Sequence, residues 1–431
     1  MSLMLIALVI FAATYILIIT EWINKMLAAM VGGFLIVLTG IVHQEVAFRA
    51  IDWNVIFFLI GMMMVISVLK DTGIFMYIAI KTAKLAKGYP LRIMMYMFLA
   101  TAFISAFMGS VTSIMILVPI VLLIAHELKI TPIPFIITMV IASNMGGAAT
   151  MIGDPPNILI GSATSYTFMD FILNLTPPVL IITFSSLGLI WLLYRRAMRV
   201  TNQNRVKLME FKETGLIKNK RKLIFGLVIL VLMLTALALQ SVINIGTATV
   251  AMTAGLAMML MNNRKKVDKV LTQDIDWTTI FFFMGLFMIV ESLVETGFIS
   301  SLAQKVLELT NSEPKATSFA ILWLSGLFSA IIDNVPFVAA MIPMLEHIGV
   351  VFKTNSLPAS AMHPLWWSLA LGTCLGGNGT LIGASANIVA AGIAQRNGFP
   401  ISFKDFTKIG AIFTLNSMLI SSLFIWLRYF S

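Results

Sequence analysis

Residues 142–163 read Ala-Ser-Asn-Met-Gly-Gly-Ala-Ala-Thr-Met-Ile-Gly-Asp-Pro-Pro-Asn-Ile-Leu-Ile-Gly-Ser-Ala, and this stretch decides the fold. Apolar residues run into it and out of it, but glycines and a Pro-Pro pair in its middle interrupt a regular helix. Asp154 directly before Pro155 is typical of a helix start. The stretch therefore predicts a half-helix that ends near Gly146, an unwound segment, and a second half-helix that starts at Asp154.

The composition places this broken helix in a membrane. The chain has 431 residues, of which 59% are hydrophobic and only 11% are charged, so it is not an ordinary soluble domain. Several apolar runs approach or exceed the roughly 18 residues that indicate a spanning helix. In lipid, freed backbone groups are tolerated only where protein or a water-filled cavity satisfies them. Discontinuous helices of this kind form the sites of secondary transporters.

Charge and cysteine content exclude several classes of protein. The net charge of +10 is explained by cytoplasmic loops of a membrane protein, so no nucleic-acid partner is expected. A single cysteine rules out an intrachain disulfide and a cysteine metal cluster. Nothing resembles a nucleotide-binding loop or a protease dyad. We therefore expect neither an enzyme nor a protein with a bound metal or cofactor, apart from a coupling H⁺ or Na⁺.

The chain contains an internal repeat. Residues 51–79 and 275–303 share 12 identities at a constant offset of 224. The broken stretch also recurs: Gly-Gly-Ala-Ala-Thr-Met-Ile-Gly at 146–153 matches Gly-Gly-Asn-Gly-Thr-Leu-Ile-Gly at 376–383, at an offset of 230. Trp, Asp and Gly match as well as Leu and Ile, which chance similarity between apolar runs does not explain.

Each half is predicted to consist of the same helices in the same order. In the first half we expect helices at about 2–20, 26–42, 53–69 and 176–194, a run at 91–125 broken near Gly109, and a broken helix at 134–163. In the second half we expect helices near 222–240, 246–261, 277–293 and 408–428, a run at 316–345 broken at 333–336, and a broken helix at 365–395. Each interrupted run is either a long helix with a loop or a re-entrant hairpin.

Loop charge favours the hairpins. With two hairpins, each half crosses the membrane five times and the second half is inverted. With both termini outside, 24 of the 29 Lys and Arg residues then fall on the cytoplasmic side, ten of them between Arg195 and Lys222. The fold class is therefore all-α and polytopic, with two inverted repeats, each of five transmembrane helices plus one re-entrant hairpin and containing one broken helix. The repeats cover 1–194 and 222–431, and residues 195–221 are a basic cytoplasmic linker.

The candidate site lies where two hairpin tips and two unwound segments meet near the midplane. Small glycines allow close approach of the backbone there, and helix N-termini attract anions. The predicted substrate-binding residues are Ser110, Thr112, Asn144, Thr150, Asn157, Asn334, Asn378, Thr380 and Asn387. The predicted coupling residues are Asp154 and Asp333, because an intramembrane carboxylate is costly and indicates function.

Structural interpretations of these residues stay open. Asp154 and Asp333 are each also explained as helix caps, and Thr150 and Thr380 as threonines that bond their own backbone. Cys374, in an apolar run, is most simply a small buried hydrophobic residue.

The sequence Gly-Gly-Ala-Ala-Thr-Met-Ile-Gly-Asp-Pro-Pro-Asn at 146–157 resembles the signature of the ion transporter superfamily, in particular the ArsB/NhaD group of arsenite-efflux and sodium–proton antiporter permeases. The related divalent-anion/sodium symporters carry Ser-Asn-Thr at each tip. Here the tips are Gly-Ser-Val-Thr at 109–112 and Asp-Asn-Val-Pro at 333–336, which argues against sodium-coupled dicarboxylate uptake.

The resemblance covers nearly the whole chain and implies elevator-type alternating access in the cell (plasma) membrane. It implies a scaffold at about 1–90, 176–310 and 408–431, and a transport domain at about 91–175 and 315–407. We expect proton-coupled efflux of an arsenite- or antimonite-type species. Sodium–proton antiport, coupled uptake of an anion or dicarboxylate, and an ion channel with the same repeat are the alternatives. The expected partners are a small ion or oxyacid and the bilayer; a homodimer and association with a soluble ATPase are compatible with the chain.

The predicted sidedness can be tested by labelling. Cysteines introduced at Asn204, in the basic linker, and at Ser356, in an opposite loop, should react with an impermeant thiol reagent from opposite sides of the membrane. Labelling of both positions from one side would contradict the inverted repeat.

Overall fold

The computed structural model describes residues 3–20, 22–196 and 215–431, and these residues form helices and connecting turns without a β-strand. Most of the basic linker, residues 197–214, lies outside the described residues. In the first half the helices are α1 (Leu3–Thr20), α2 (Lys25–Leu38), α3 (Gln44–Arg49), α4 (Trp53–Asp71), α5 (Ile74–Leu85), α6 (Pro90–Met108), α7 (Ser110–Leu128), α8 (Ile133–Ala148), α9 (Pro155–Ala163) and α10 (Phe168–Tyr194).

In the second half they are α11 (Lys220–Ala238), α12 (Gln240–Ile243), α13 (Thr247–Met259), α14 (Arg264–Lys269), α15 (Trp277–Glu295), α16 (Phe298–Leu309), α17 (Pro314–Ser329), α18 (Asn334–Thr354), α19 (His363–Gly376), α20 (Ser385–Arg396) and α21 (Phe403–Tyr429). Nine of the described helices are long and apolar enough to cross a membrane. The prediction of an all-α polytopic membrane protein is confirmed.

Both predicted broken helices are present. The first is interrupted between α8 and α9 by residues 149–154, the first unwound segment, and the second between α19 and α20 by residues 377–384, the second unwound segment. Each predicted hairpin run is a pair of helices. Its bend is the single residue Gly109 between α6 and α7, with φ +83°, and residues 330–333 between α17 and α18. How deeply these hairpins enter the membrane, and the inverted orientation of the halves, stay predictions.

Two predicted helix starts are wrong. We expected helices from 176 and 408, but α10 starts at Phe168 and α21 at Phe403. Thr167 and Asp170 form a capping box before α10, and Ser402 caps α21 by accepting from the amide of Asp405. These caps supply partners for free backbone N–H groups and start the helix earlier than its apolar run.

The two halves interlock through close helix crossings. α4 of the first half lies along α13 of the second, and α15 of the second lies along α2 of the first. A Cβ added at Gly61 would lie 2.5 Å from the carbonyl carbon of Ala251, and one at Gly285 would lie 2.5 Å from that of Ala29. Gly61 and Gly285 are 224 residues apart, so the repeat builds the same crossing twice.

A second pair of crossings holds the unwound segments. α6 packs along α8, and α17 packs along α19. A Cβ at Gly146 would lie 2.0 Å from the carbonyl oxygen of Ala102, and one at Gly376 would lie 2.5 Å from that of Gly326. Only glycine permits this approach, which brings each hairpin against the broken helix of its own half.

Three of the segments assigned to the cytoplasm share one face. The amide of Lys218 donates to the carbonyl of Thr72 over 3.0 Å, and the Lys266 ammonium lies 3.8 Å from the carboxylate of Asp71. Lys222, at the start of α11, donates to Asn262. The end of the basic linker therefore lies beside residues 70–73 and 262–266; the side of the membrane that this face occupies stays a prediction.

We expect Gly285→Ala to destabilise the protein, because the new methyl group would overlap the backbone of Ala29. Overpacking of this kind costs roughly 1–3 kcal/mol. Gly188→Ala is the matched control, since a Cβ there meets nothing within 4 Å. Thermal unfolding of the purified protein should show a lower midpoint for Gly285→Ala only, and equal midpoints would contradict the crossing.

Candidate transport site

The site is centred on one buried carboxylate. Asp154 is 1% exposed, and its Oδ1 accepts from the Ser110 hydroxyl over 2.7 Å. Its Oδ2 accepts from the Nδ2 amide of Asn334 over 2.9 Å. Ser110 begins α7 and Asn334 begins α18, so these two residues, 224 apart in the sequence, come from the tips of the two hairpins. A single side chain thus joins both halves.

Asp154 occupies the N-cap position of α9 but makes no side-chain bond to that helix. The physical reason is that Pro155 and Pro156 have no N–H to offer at the first two helical positions. The carboxylate is therefore free to turn toward the hairpin tips. A role as a helix cap alone does not account for it.

Asp154 also lacks a basic partner. Among the described residues, the ion pairs join Lys266 to Asp71 and His126 to Glu127, and no Lys, Arg or His lies within ion-pair distance of Asp154. Two neutral donors offset only part of the cost of burying a charge. The site accordingly favours a proton or a cation on this carboxylate.

Asn157 and Asn387 brace the two unwound segments. The Asn157 amide donates to the carbonyl oxygens of Ala148 (3.3 Å) and Thr150 (2.9 Å). The Asn387 amide donates to those of Gly377 and Thr380, each over 2.8 Å. We expected both amides to donate to cargo, but in this conformation their N–H groups satisfy backbone carbonyls that the break in the helix leaves free.

Thr150 and Thr380 attach these segments to the hairpins. Thr150 donates to the carbonyl of Ala106 at the end of α6, and Thr380 donates to that of Ala330 beyond α17. The alternative that both threonines bond only their own backbone is therefore wrong. Their partners are separated by the same offset as the hairpins, so the two attachments are equivalent.

A cluster of amides joins the halves behind Asp154. Asn144 Nδ2 donates to Asn378 Oδ1 and to Asn387 Oδ1, both over 2.9 Å. Asn144 Oδ1 and Asn378 Nδ2 are fully buried without a hydrogen-bond partner in the described structure. One free acceptor and one free donor therefore remain in the middle of the site, which is unusual for a folded interior.

Cys374 occupies the position equivalent to Asn144, 230 residues later. Its thiol lies 3.7 Å from Asn157 Oδ1, as the Asn144 amide contacts Asn387 Oδ1 in the other half. Cys374 is buried, as its apolar surroundings suggested, but it also belongs to the polar contact between the halves. The repeat offset in the sequence was the signal that places it there.

The second tip carries the other predicted acid. Asp333 Oδ1 accepts from the amide of Val335, which confirms its interpretation as a helix cap. Its Oδ2 accepts from the Ser385 hydroxyl, and Ser385 accepts from the Lys25 ammonium over 2.9 Å. Lys25 had been counted only as a loop charge, and nothing in the sequence pointed to this contact.

The structure thus brings ten of the eleven predicted site residues into one connected set of contacts around the tips and the unwound segments. Thr112 is half-buried and makes no side-chain hydrogen bond within the described part of the chain.

Two broken helices and two hairpins that meet at a buried acid define a membrane transporter of the secondary type. The chain belongs to the citrate transporter family (CitMHS), whose model matches residues 15–372. An uncharacterized transporter of Mycobacterium tuberculosis is 39% identical over 99% of this chain and 98% of its own length. The P protein of Mus musculus is 28% identical over 94% of this chain and 58% of its own length.

The fold is shared with a solved transporter. The crystal structure of the Alcanivorax borkumensis YdaH transporter, described as having an unusual topology, matches with a TM-score of 0.58 at 14% identity and covers 92% of this chain and 88% of its own.

We expect Ser110→Ala to destabilise the protein, because it leaves an oxygen of Asp154 buried without a donor. Such a loss costs about 1–3 kcal/mol. Thr112→Val is the matched control on the same tip, since its hydroxyl has no partner to lose. Thermal unfolding midpoints measured together should fall for Ser110→Ala and not for Thr112→Val; a reversed order would disprove the contact's importance.

Proposed function

We propose that the chain is a proton-coupled secondary transporter in which Asp154 is the coupling acid and the cargo is a small uncharged oxyacid of the arsenite or antimonite type, moved outward. The observation that carries the proposal is the fully buried Asp154, shared by both hairpin tips without a basic partner.

The partners of Asp154 suit a group that gains and loses a proton. The Asn334 amide donates only, so it holds Oδ2 as an acceptor in either state. The Ser110 hydroxyl can donate to an ionised Oδ1 and can turn to accept from a protonated one. The carboxyl group can therefore change its protonation state while the heavy atoms around it stay in place.

The amide cluster supports an uncharged cargo that carries hydroxyl groups. A hydroxyl both donates and accepts, so it matches the free acceptor at Asn144 Oδ1 and the free donor at Asn378 Nδ2. A polyanion would instead face the carboxylates of Asp154 and Asp333. It would enter only with an accompanying cation.

A citrate-type anion is the second candidate, because the description of the family names citrate. The N-termini of α7, α9, α18 and α20 lie around the site and favour an anion. The carboxylates oppose this attraction. Sodium–proton antiport is the further alternative, with Na⁺ and H⁺ exchanging on Asp154.

We also propose that cargo crosses by an elevator-type movement. In this proposal the segments 91–175 and 315–407 move against the scaffold formed by 1–90, 176–310 and 408–431. The packing of α7 on α20 and of α9 on α18 supports this division, because it ties both hairpins and both broken helices into one body.

Flux into proteoliposomes, measured for arsenite, sodium and citrate with and without a pH gradient, tests the function. We expect wild-type protein to move arsenite against its gradient when a pH gradient is imposed. Asp154→Asn should reduce gradient-driven flux to the level of empty liposomes while cargo counterflow persists, because the proton carrier is lost and the cargo contacts stay.

Asp52→Asn is the matched control for this substitution. Asp52 caps α4 by accepting from the amide of Asn54, far from the site in sequence, and asparagine caps a helix equally well. Gradient-driven flux that survives in Asp154→Asn would disprove the coupling role. Saturable transport of citrate but not arsenite would replace the first candidate with the second, and single-channel currents would replace a carrier with a channel.

A further inference from the structure

The contact between Lys25 and Ser385 links two groups of helices that otherwise pack among themselves. α2 packs along α15 and against α1, and α4 packs along α13; these five helices are the first group. The second group consists of α6 to α9 and α17 to α20, which carry the hairpins and the unwound segments. Lys25 begins α2, and Ser385 begins α20.

The geometry of this contact fixes the direction of its hydrogen bonds. The ammonium of Lys25 can only donate, so Ser385 must accept from it over 2.9 Å. The single proton of the Ser385 hydroxyl is then available for Asp333 Oδ2. The chain from Lys25 to Asp333 is therefore complete when Asp333 is ionised. The ammonium also lies 5.4 Å from the ring centroid of Phe282 on α15, which holds it in place.

Other groups face the same tip. The Tyr15 hydroxyl on α1 donates to the carbonyl of Pro336 over 2.6 Å, so a second contact from the first group reaches α18. Tyr15 and Asp154 are the other titratable groups close enough to act on Asp333 electrostatically. Lys25 is the nearby group that carries positive charge to this acid.

We infer that Lys25 and Ser385 form a latch between the two groups of helices, and that the latch opens in each transport cycle. This inference rests on the proposed function, because a carrier must move one group past the other. The latch exists in one half only. The residue equivalent to Ser385, 230 positions earlier, is Pro155, which has no hydroxyl to offer. Lys25 is therefore a positioning residue that holds the second unwound segment, and the cargo contacts do not include it.

Cross-linking tests whether the latch opens. Cysteines replace Lys25 and Ser385, and a short, cleavable bifunctional thiol reagent joins them. We expect the cross-linked protein to lose transport in proteoliposomes and cleavage of the reagent to restore it. The matched control joins Asp71→Cys to Lys266→Cys, which are 3.8 Å apart in the parent protein and lie on α4 and α14. That pair lies on the predicted scaffold and should transport when cross-linked. The buried Cys374 is present in both proteins.

A double-mutant cycle separates a latch from a general loss of structure. Lys25→Met and Ser385→Ala should change turnover by the same factor with KM unchanged, and the double variant should change it no further, because each substitution opens the same contact. Lys25→Arg should restore the wild-type rate. Effects that multiply in the double variant would overturn the inference.

The possible failures can be told apart. Cross-linked Lys25→Cys/Ser385→Cys protein that transports as fast as before cross-linking would overturn the latch alone. Wild-type protein that carries none of arsenite, sodium and citrate would overturn the proposed function and the latch with it.

Discussion

The rest of the structure depends on the burial of one carboxylate between two hairpin tips. Asp154 receives one hydrogen bond from each half of the chain, through Ser110 and Asn334. The carboxylate reaches both tips because the helix is broken before it and because two prolines after it offer no backbone donors. Asn157 and Thr150 then satisfy or anchor the backbone that the break exposes. A coupling acid at membrane depth and a broken helix are thus parts of one solution.

The repeat supplies a symmetric framework, and a few substitutions within it supply the chemistry. Equivalent glycines form the same close crossings, and equivalent asparagines and threonines hold both unwound segments. At the site the equivalence ends. Asp154 corresponds to Ala384, and Asp333 corresponds to Gly109, so each half contributes one acid from a different element. Lys25 contacts the half whose acid lies on the hairpin. An asymmetric site in a symmetric frame gives the protein a single coupling position.

The sequence predicted features that local chemistry dictates. Gly146 and Pro155 located the first break within a few residues, and the offsets of 224 and 230 paired the residues of the two halves. It failed where long-range contacts decide. The amides of Asn157 and Asn387 turn toward their own segments, α10 starts early because of its capping box, and Lys25 reaches a residue 360 positions away. Charge patterns alone cannot show such contacts, because a lysine at a helix start looks the same whether or not its ammonium finds a partner in another helix.

The central claim is that cargo and a proton compete for the site around Asp154, and proton release on binding tests it most directly. Purified protein in a weakly buffered detergent solution is mixed with arsenite near neutral pH, and the pH change is recorded. The account predicts a saturable release approaching one proton per protein molecule in the wild type and none in Asp154→Asn. Saturable binding of arsenite without proton release, or equal release from both proteins, would contradict it.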